Sequence, residues 1–153
     1  MKNFRFRAQP ALDLRIQQDD VAQKAAADAE TRRNSARDAR DAAERAIAET
    51  LLRANADVAR NPADVTMRTW YRNWIVSQRQ DLARRERELD VREAELRDAR
   101  RAAIVTRRKR RALERFRERR LHAHEHEERR EETRALDELG TLRFALRSRG
   151  GHT

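Results

Sequence analysis

The sequence predicts an all-α protein, a long antiparallel two-helix coiled-coil hairpin whose second helix is the longer. Three observations carry that expectation. The 153 residues are 42% charged and 38% hydrophobic, too polar for a thick core. Only 3 Gly and 2 Pro are present, in a background of Ala, Arg, Glu and Leu, which favours helix over disorder. Apolar residues recur every seven positions over long stretches.

The punctuation divides the chain. Pro10 suits a first helical turn, where its missing N–H would have no partner anyway, so the first helix is expected over about 11–60. Asn61-Pro62 breaks the pattern and places a turn at about 61–65. Asp64 or Thr66 can then cap a second helix over about 66–148, with Gly140 tolerated inside it and Gly150-Gly151 ending it. The whole chain, 1–153, reads as a single coiled-coil domain.

The seams are thin. Ile75, Leu82, Leu89, Leu96 and Ala103 form a strict heptad row in the second helix, and the positions three on are Gln78, Arg85, Arg92 and Ala99. The first helix carries Ala22, Ala29, Ala36 and Ala43, with Ala25, Ala39 and Ala46 three on and Arg32 interrupting. An alanine stripe lets backbones approach, and Leu opposite Ala fills space without voids. A turn at Pro62 pairs residues whose numbers add to about 125, bringing Ala43 to Leu82, Ala36 to Leu89 and Ala29 to Leu96.

In that register the helix starting near Ala11 lies opposite Glu114, leaving about 35 residues of the second helix unpaired, on the order of 50 Å. Leu136, Leu139, Leu142 and Leu146 form an apolar stripe along this overhang, and Phe4, Phe6 and Leu12 are expected near its base. At the other end, 2 Trp and the single Tyr crowd into "TWYRNWIVSQ". Tyr71 and Ile75 are in phase with the leucine row and belong to the seam. Trp70 and Trp74 are one position out of phase, about 100° round the helix, and should flank it partly exposed.

Taken together, "FRFRAQPALDLR", the charged hairpin, "RTWYRNWI" just past the turn and the terminal "LDELGTLRFALR" resemble the FliJ/YscO family of flagellar and virulence type III export proteins. The start of the chain leans flagellar. The resemblance implies a small antiparallel coiled coil, similar to the central shaft of rotary ATP synthase. Its joined termini would enter the hexamer of a FliI-like export ATPase. Its turn-side half would contact the cytoplasmic domain of an FlhA-like export gate, and it would escort export chaperones. The ATPase-binding end would comprise Phe4, Phe6, Leu12, Leu136, Asp137, Glu138, Leu139 and Phe144. The gate-binding stretch would comprise Ile47, Leu51, Trp70, Trp74, Gln78, Leu82 and Arg85, with Arg40 or Glu44 adjoining and Trp74 beside Leu51. The implied location is cytoplasmic, peripheral at the cytoplasmic face of the inner membrane.

Charge supplies a rival. Residues 62–153 carry +8 of the net +10, and "RRAAIVTRRKRRALERFRERR" contains a dense basic face at Arg107, Arg108, Lys109, Arg110 and Arg111. A basic-region zipper has the same ingredients, but there the basic segment precedes the heptads, whereas here it follows them, and no Asn-containing base-reading pattern is present. Salt-dependent attraction to polyanions is expected, specific nucleic-acid recognition is not. The alternative to the export reading is a generic coiled-coil adaptor or basic nucleic-acid binder.

No enzyme, cofactor or metal site is expected. His122 and His126 lie i and i+4 but make a weak chelate, His124 points elsewhere, and His-Glu-x-x-His is absent. A two-helix hairpin offers no pocket that could exclude water or perturb an acid–base pair. Cysteine is absent, which suits a reducing compartment, no run approaches 18 apolar residues, and no apolar region follows the basic start as a cleaved signal would need.

Overall fold

The computed structural model describes residues 3–150, with side chains through Arg147. Two helices, α1 (Gln9–Arg60, 52 residues) and α2 (Val65–Gly150, 86 residues), pack against each other, and no strand occurs among the described residues. α1 begins two residues before the expected Ala11. The amide of Leu12 closes the first helical bond on the Ala8 carbonyl at 3.0 Å, which places Pro10 among the early positions that need no N–H. Gly140 does not break α2, which runs on to Gly150; Gly151 lies outside the described residues.

Asp64 is the cap of α2. Its Oδ1 accepts from the Met67 amide at 2.9 Å, and its own amide donates to the Asn61 carbonyl at 3.2 Å across Pro62. One carboxylate therefore satisfies an orphan helix donor while the proline turn reverses the chain.

The chain groups into two compact units. One comprises residues 18–106; the other joins residues 1–17 to residues 107–153. Within residues 18–106 the expected register holds. The numbers of bonded partners add to 124 at Gln78–Ala46 and Trp74–Thr50, 125 at Thr106–Asp19 and 126 at Gln23–Ala103, while the longer side chains of Tyr71 and Arg100 reach further along α1, to Asp57 (128) and Glu30 (130). Ala29, Ala36, Leu96 and Ala103 are buried, while Leu82 and Leu89 are half-buried.

The second row of α1 differs from the expectation. Ala39 and Ala46 of the expected row are half-buried, but Ala25 and Arg32 are exposed, and Ala26, Arg33, Arg40, Ile47 and Ala54 also turn inward, Ala54 being the buried member. This row lies four residues after the alanine row rather than three. A seven-residue repeat can split either way, and alanines on both candidate rows made the two splits look alike in sequence. Extended backward, the row reaches Asp19, only 3% exposed. Asp19 accepts from Gln23 at 3.1 Å and from the Thr106 hydroxyl at 3.4 Å, a polar layer in an otherwise apolar seam.

In the other unit Leu12 is buried, and Leu113 and Leu121 of α2 are half-buried. Residues 3–6 form a non-helical arm. Phe6 meets Phe116 at 5.7 Å between ring centroids and Phe4 meets His124 edge-on at 5.6 Å. Extended chain advances about 3.3 Å per residue against 1.5 Å for helix, so two steps of arm run beside about four residues of α2, and the two rings splay apart to reach partners eight residues apart. The expected overhang is shortened accordingly: cover reaches Glu128, and the 19 residues 129–147 are all exposed.

Candidate functional site

Two surfaces stand out, one in each unit. In residues 18–106, the first turns of α2 lie against the last turns of α1. Tyr71 turns into the seam, and its hydroxyl donates to Asp57 Oδ2 at 2.5 Å. This bond holds the phenol above its ordinary value, since ionisation would set two anions side by side. Trp70 stacks on Trp74 at 5.7 Å with planes 10° apart, and lies edge-on to Tyr71 at 4.9 Å. The two indoles are 56% and 48% exposed, on the flank where their phase in the heptad put them. The Trp74 indole N–H donates to Thr50 Oγ1 at 3.3 Å.

Leu51 belongs to a different face. It lines a shallow groove with Ala54, Val58, Tyr71, Ile75 and Val76. Val76 lies about 200° round α2 from Trp74, so Leu51 and the indoles flank the seam on opposite sides. The expected Trp74–Leu51 pair is therefore replaced by Trp74–Thr50. Of the other residues expected on this stretch, Ile47, Gln78 and Leu82 are half-buried in the seam. The Gln78 amide donates to the Ala46 carbonyl at 3.5 Å, while its Oε1 is buried with no partner among the described residues. Arg85 Nε donates to Asp81 Oδ2 at 2.8 Å, which holds the Asp81 carboxyl below its usual range and the guanidinium above its own. Arg40 pairs with Asp41 and Glu44 at 3.2 and 3.4 Å.

In the unit of the two termini, the expected residues separate into two sets. Leu12 is core, and Phe4 and Phe6 anchor the arm on α2. Leu136, Asp137, Glu138, Leu139 and Phe144 stand on the uncovered tract, with Leu136 70% and Phe144 76% exposed. Leu142 and Leu146 complete the apolar stripe. Among the described residues Phe4 and Phe6 meet His124 and Phe116 and not the stripe.

The basic run is a collar rather than a face. Successive residues are about 100° apart, so Arg107, Arg108, Lys109, Arg110 and Arg111 point all round α2. Arg110 alone of the five is half-buried, its Nε donating to Glu114 at 2.8 Å. Two of the three clustered histidines find local partners. His122 lies 3.5 Å from Glu125, and His124 lies 3.9 Å from Glu128 beneath the Phe4 ring. Among the described residues no group of three or more His, Asp or Glu side chains could hold a metal ion. Sequence reasoning found no partner for His124, because the arm that covers it is remote in sequence and non-helical.

Comparison with known protein families, with curated proteins and with solved structures gives no match. No helix among the described residues is long and apolar enough to cross a membrane.

Proposed function

We propose that this chain is a non-enzymatic stalk of a type III protein export apparatus, flagellar in the first instance, of the FliJ/YscO kind. The observation that carries the reading is the uncovered end of α2. There Leu136, Leu139, Leu142 and Leu146 repeat at three, three and four residues with no neighbour over them. Such a stripe gains by entering an apolar ring or groove. In this reading it enters the hexamer of a FliI-like export ATPase, helped by Asp137, Glu138 and Phe144, while the arm with Phe4 and Phe6 braces α2 behind it. The Trp70–Trp74 shelf, with Ile47, Leu51, Gln78, Leu82 and Arg85 around it, meets the cytoplasmic domain of an FlhA-like export gate. Export chaperones are further cargo, and the protein works in the cytoplasm, held at the inner membrane through these partners.

The reading is tested by adding the purified chain to the export ATPase of its own secretion system. Turnover should rise several-fold, and a chain carrying Leu136→Asp with Leu139→Asp should neither stimulate nor capture the ATPase. Unchanged capture by that double variant would remove the assignment of the stripe. A deletion strain with normal motility and normal secretion would remove the export role as a whole.

A further inference from the structure

Arg5 of the N-terminal arm and Arg7 just after it lie beside a second group of arginines on α2. Arg5 and Arg7 line two clefts, of about 540 and 920 Å³, on the two sides of the arm. Arg120 lines the first with Phe116, His124 and the carboxylate of Glu127, and Arg117 lines the second with Asp13, so four guanidiniums outnumber two carboxylates there. Four exposed guanidiniums thus converge around Phe4, Phe6 and Phe116. Among the described residues none of the four has a carboxylate within ion-pair distance. Some arginines elsewhere are neutralised locally, as in Arg85–Asp81, Arg92–Glu95 and Arg100–Glu30, and others, such as Arg68, Arg79, Arg87 and Arg97, stand singly; what sets the four apart is that they line adjoining clefts beside a basic run. In residues 107–120, nine basic side chains face two acidic ones, Glu114 and Glu118, and Arg110 is the one with a carboxylate partner.

We infer that this cleft and the adjoining collar bind a single-stranded nucleic acid without regard to base sequence. Unneutralised guanidiniums at this density hold back counterions, and a phosphate chain that replaces those counterions gains their release. The collar points in all directions round α2, so a flat anionic membrane would meet only one side of it, whereas a pliant single strand can wind across it. Aromatic rings are the second requirement. The Phe116 ring is 36% exposed, with Phe6 5.7 Å to one side and Arg120 5.4 Å over its centroid, so a base would stack on this guanidinium-capped ring within reach of the phosphate contacts. An acidic peptide would use the charge but not the ring. The inference stands apart from the export reading and uses none of the stripe residues.

The test is fluorescence anisotropy of the full chain with a labelled single-stranded RNA of about 20 nucleotides, longer than one typical site. Binding should weaken with salt at a log–log slope of about −3 or steeper, from four phosphates at about 0.7 each. Changing Arg5, Arg7, Arg117 and Arg120 together to Gln should reduce that slope by about 3. Phe116→Ala should weaken binding roughly tenfold with little change in slope. A control with Arg68, Arg79, Arg87 and Arg97 changed to Gln carries the same net charge and should keep most of the affinity. Equal losses in the two fourfold variants would overturn the site. Polyglutamate, or phosphatidylglycerol vesicles, binding as tightly as the RNA would overturn the choice of ligand. Circular dichroism of each variant separates either result from unfolding.

Discussion

The hydroxyl of Tyr71 and the carboxylate of Asp57 meet at 2.5 Å and tie the first turns of α2 to the last turn of α1. Because the bond holds the phenol above its ordinary value of 10.0, its stabilisation is complete below that pH and is lost as pH rises through the higher folded value. Tyr71→Phe should lower the melting temperature by about 2–4 °C at neutral pH. It should also flatten the loss of stability above pH 10, read as helix content in an alkaline titration.

Leu96 is buried against an alanine stripe, and a cavity there has little to collapse into. Leu96→Ala should cost about 3 kcal/mol in urea unfolding. Leu142→Ala, the same chemical change on the uncovered tract, should cost almost nothing.

Gln78 occupies a seam position with one buried oxygen that has no partner among the described residues. Gln78→Leu should therefore raise stability, by about 1 kcal/mol. If the side chain belongs to a gate-binding surface, the same change should weaken gate binding while it steadies the fold, and the two readouts would move in opposite directions.

The register can be read chemically, since the chain has no cysteine of its own. Ala43→Cys with Leu82→Cys should form an intramolecular disulfide on mild oxidation. Ala43→Cys with Leu89→Cys, one heptad displaced, should not. Mobility on a non-reducing gel distinguishes them.

Trp74 is half exposed and gives its N–H to Thr50. Trp74→Ala should leave helix content within a few percent while reducing capture of an export gate domain by about tenfold, the effect of losing one exposed aromatic anchor. Parallel loss of helix and capture would make the indole a structural residue.

What the sequence disclosed was whatever repeats. The leucine row, the proline turn, the Asp64 cap and the pairing of Ala29 with Leu96 all follow from periodicity and local chemistry, and so does the exposure of Trp70 and Trp74. What it concealed depended on choices between equivalents. Alanine on two candidate rows hid the second seam of α1, and with it the inward turn of Asp19. A phase count fixes which side of α2 a residue takes, but the side of α1 that faces it needs both helices, which is why Trp74 meets Thr50 and not Leu51. The arm carries no period at all, so its reach to His124, and the meeting of Arg5 and Arg7 with Arg117 and Arg120, could only be seen in three dimensions.

The tract from Arg129 to Arg147 combines two properties described separately above: no neighbour covers it, and arginine recurs along it at positions 129, 130, 134, 143 and 147. To a trypsin-like protease that is an open helix end with cleavage sites at short intervals, and the first cuts should fall there, leaving residues up to Glu128 intact. A partner seated on the stripe would shield every one of those bonds. The length of the surviving fragment would then act as a gauge of occupancy, reporting in a crude cell extract whether that end of the protein was in use at the moment of lysis.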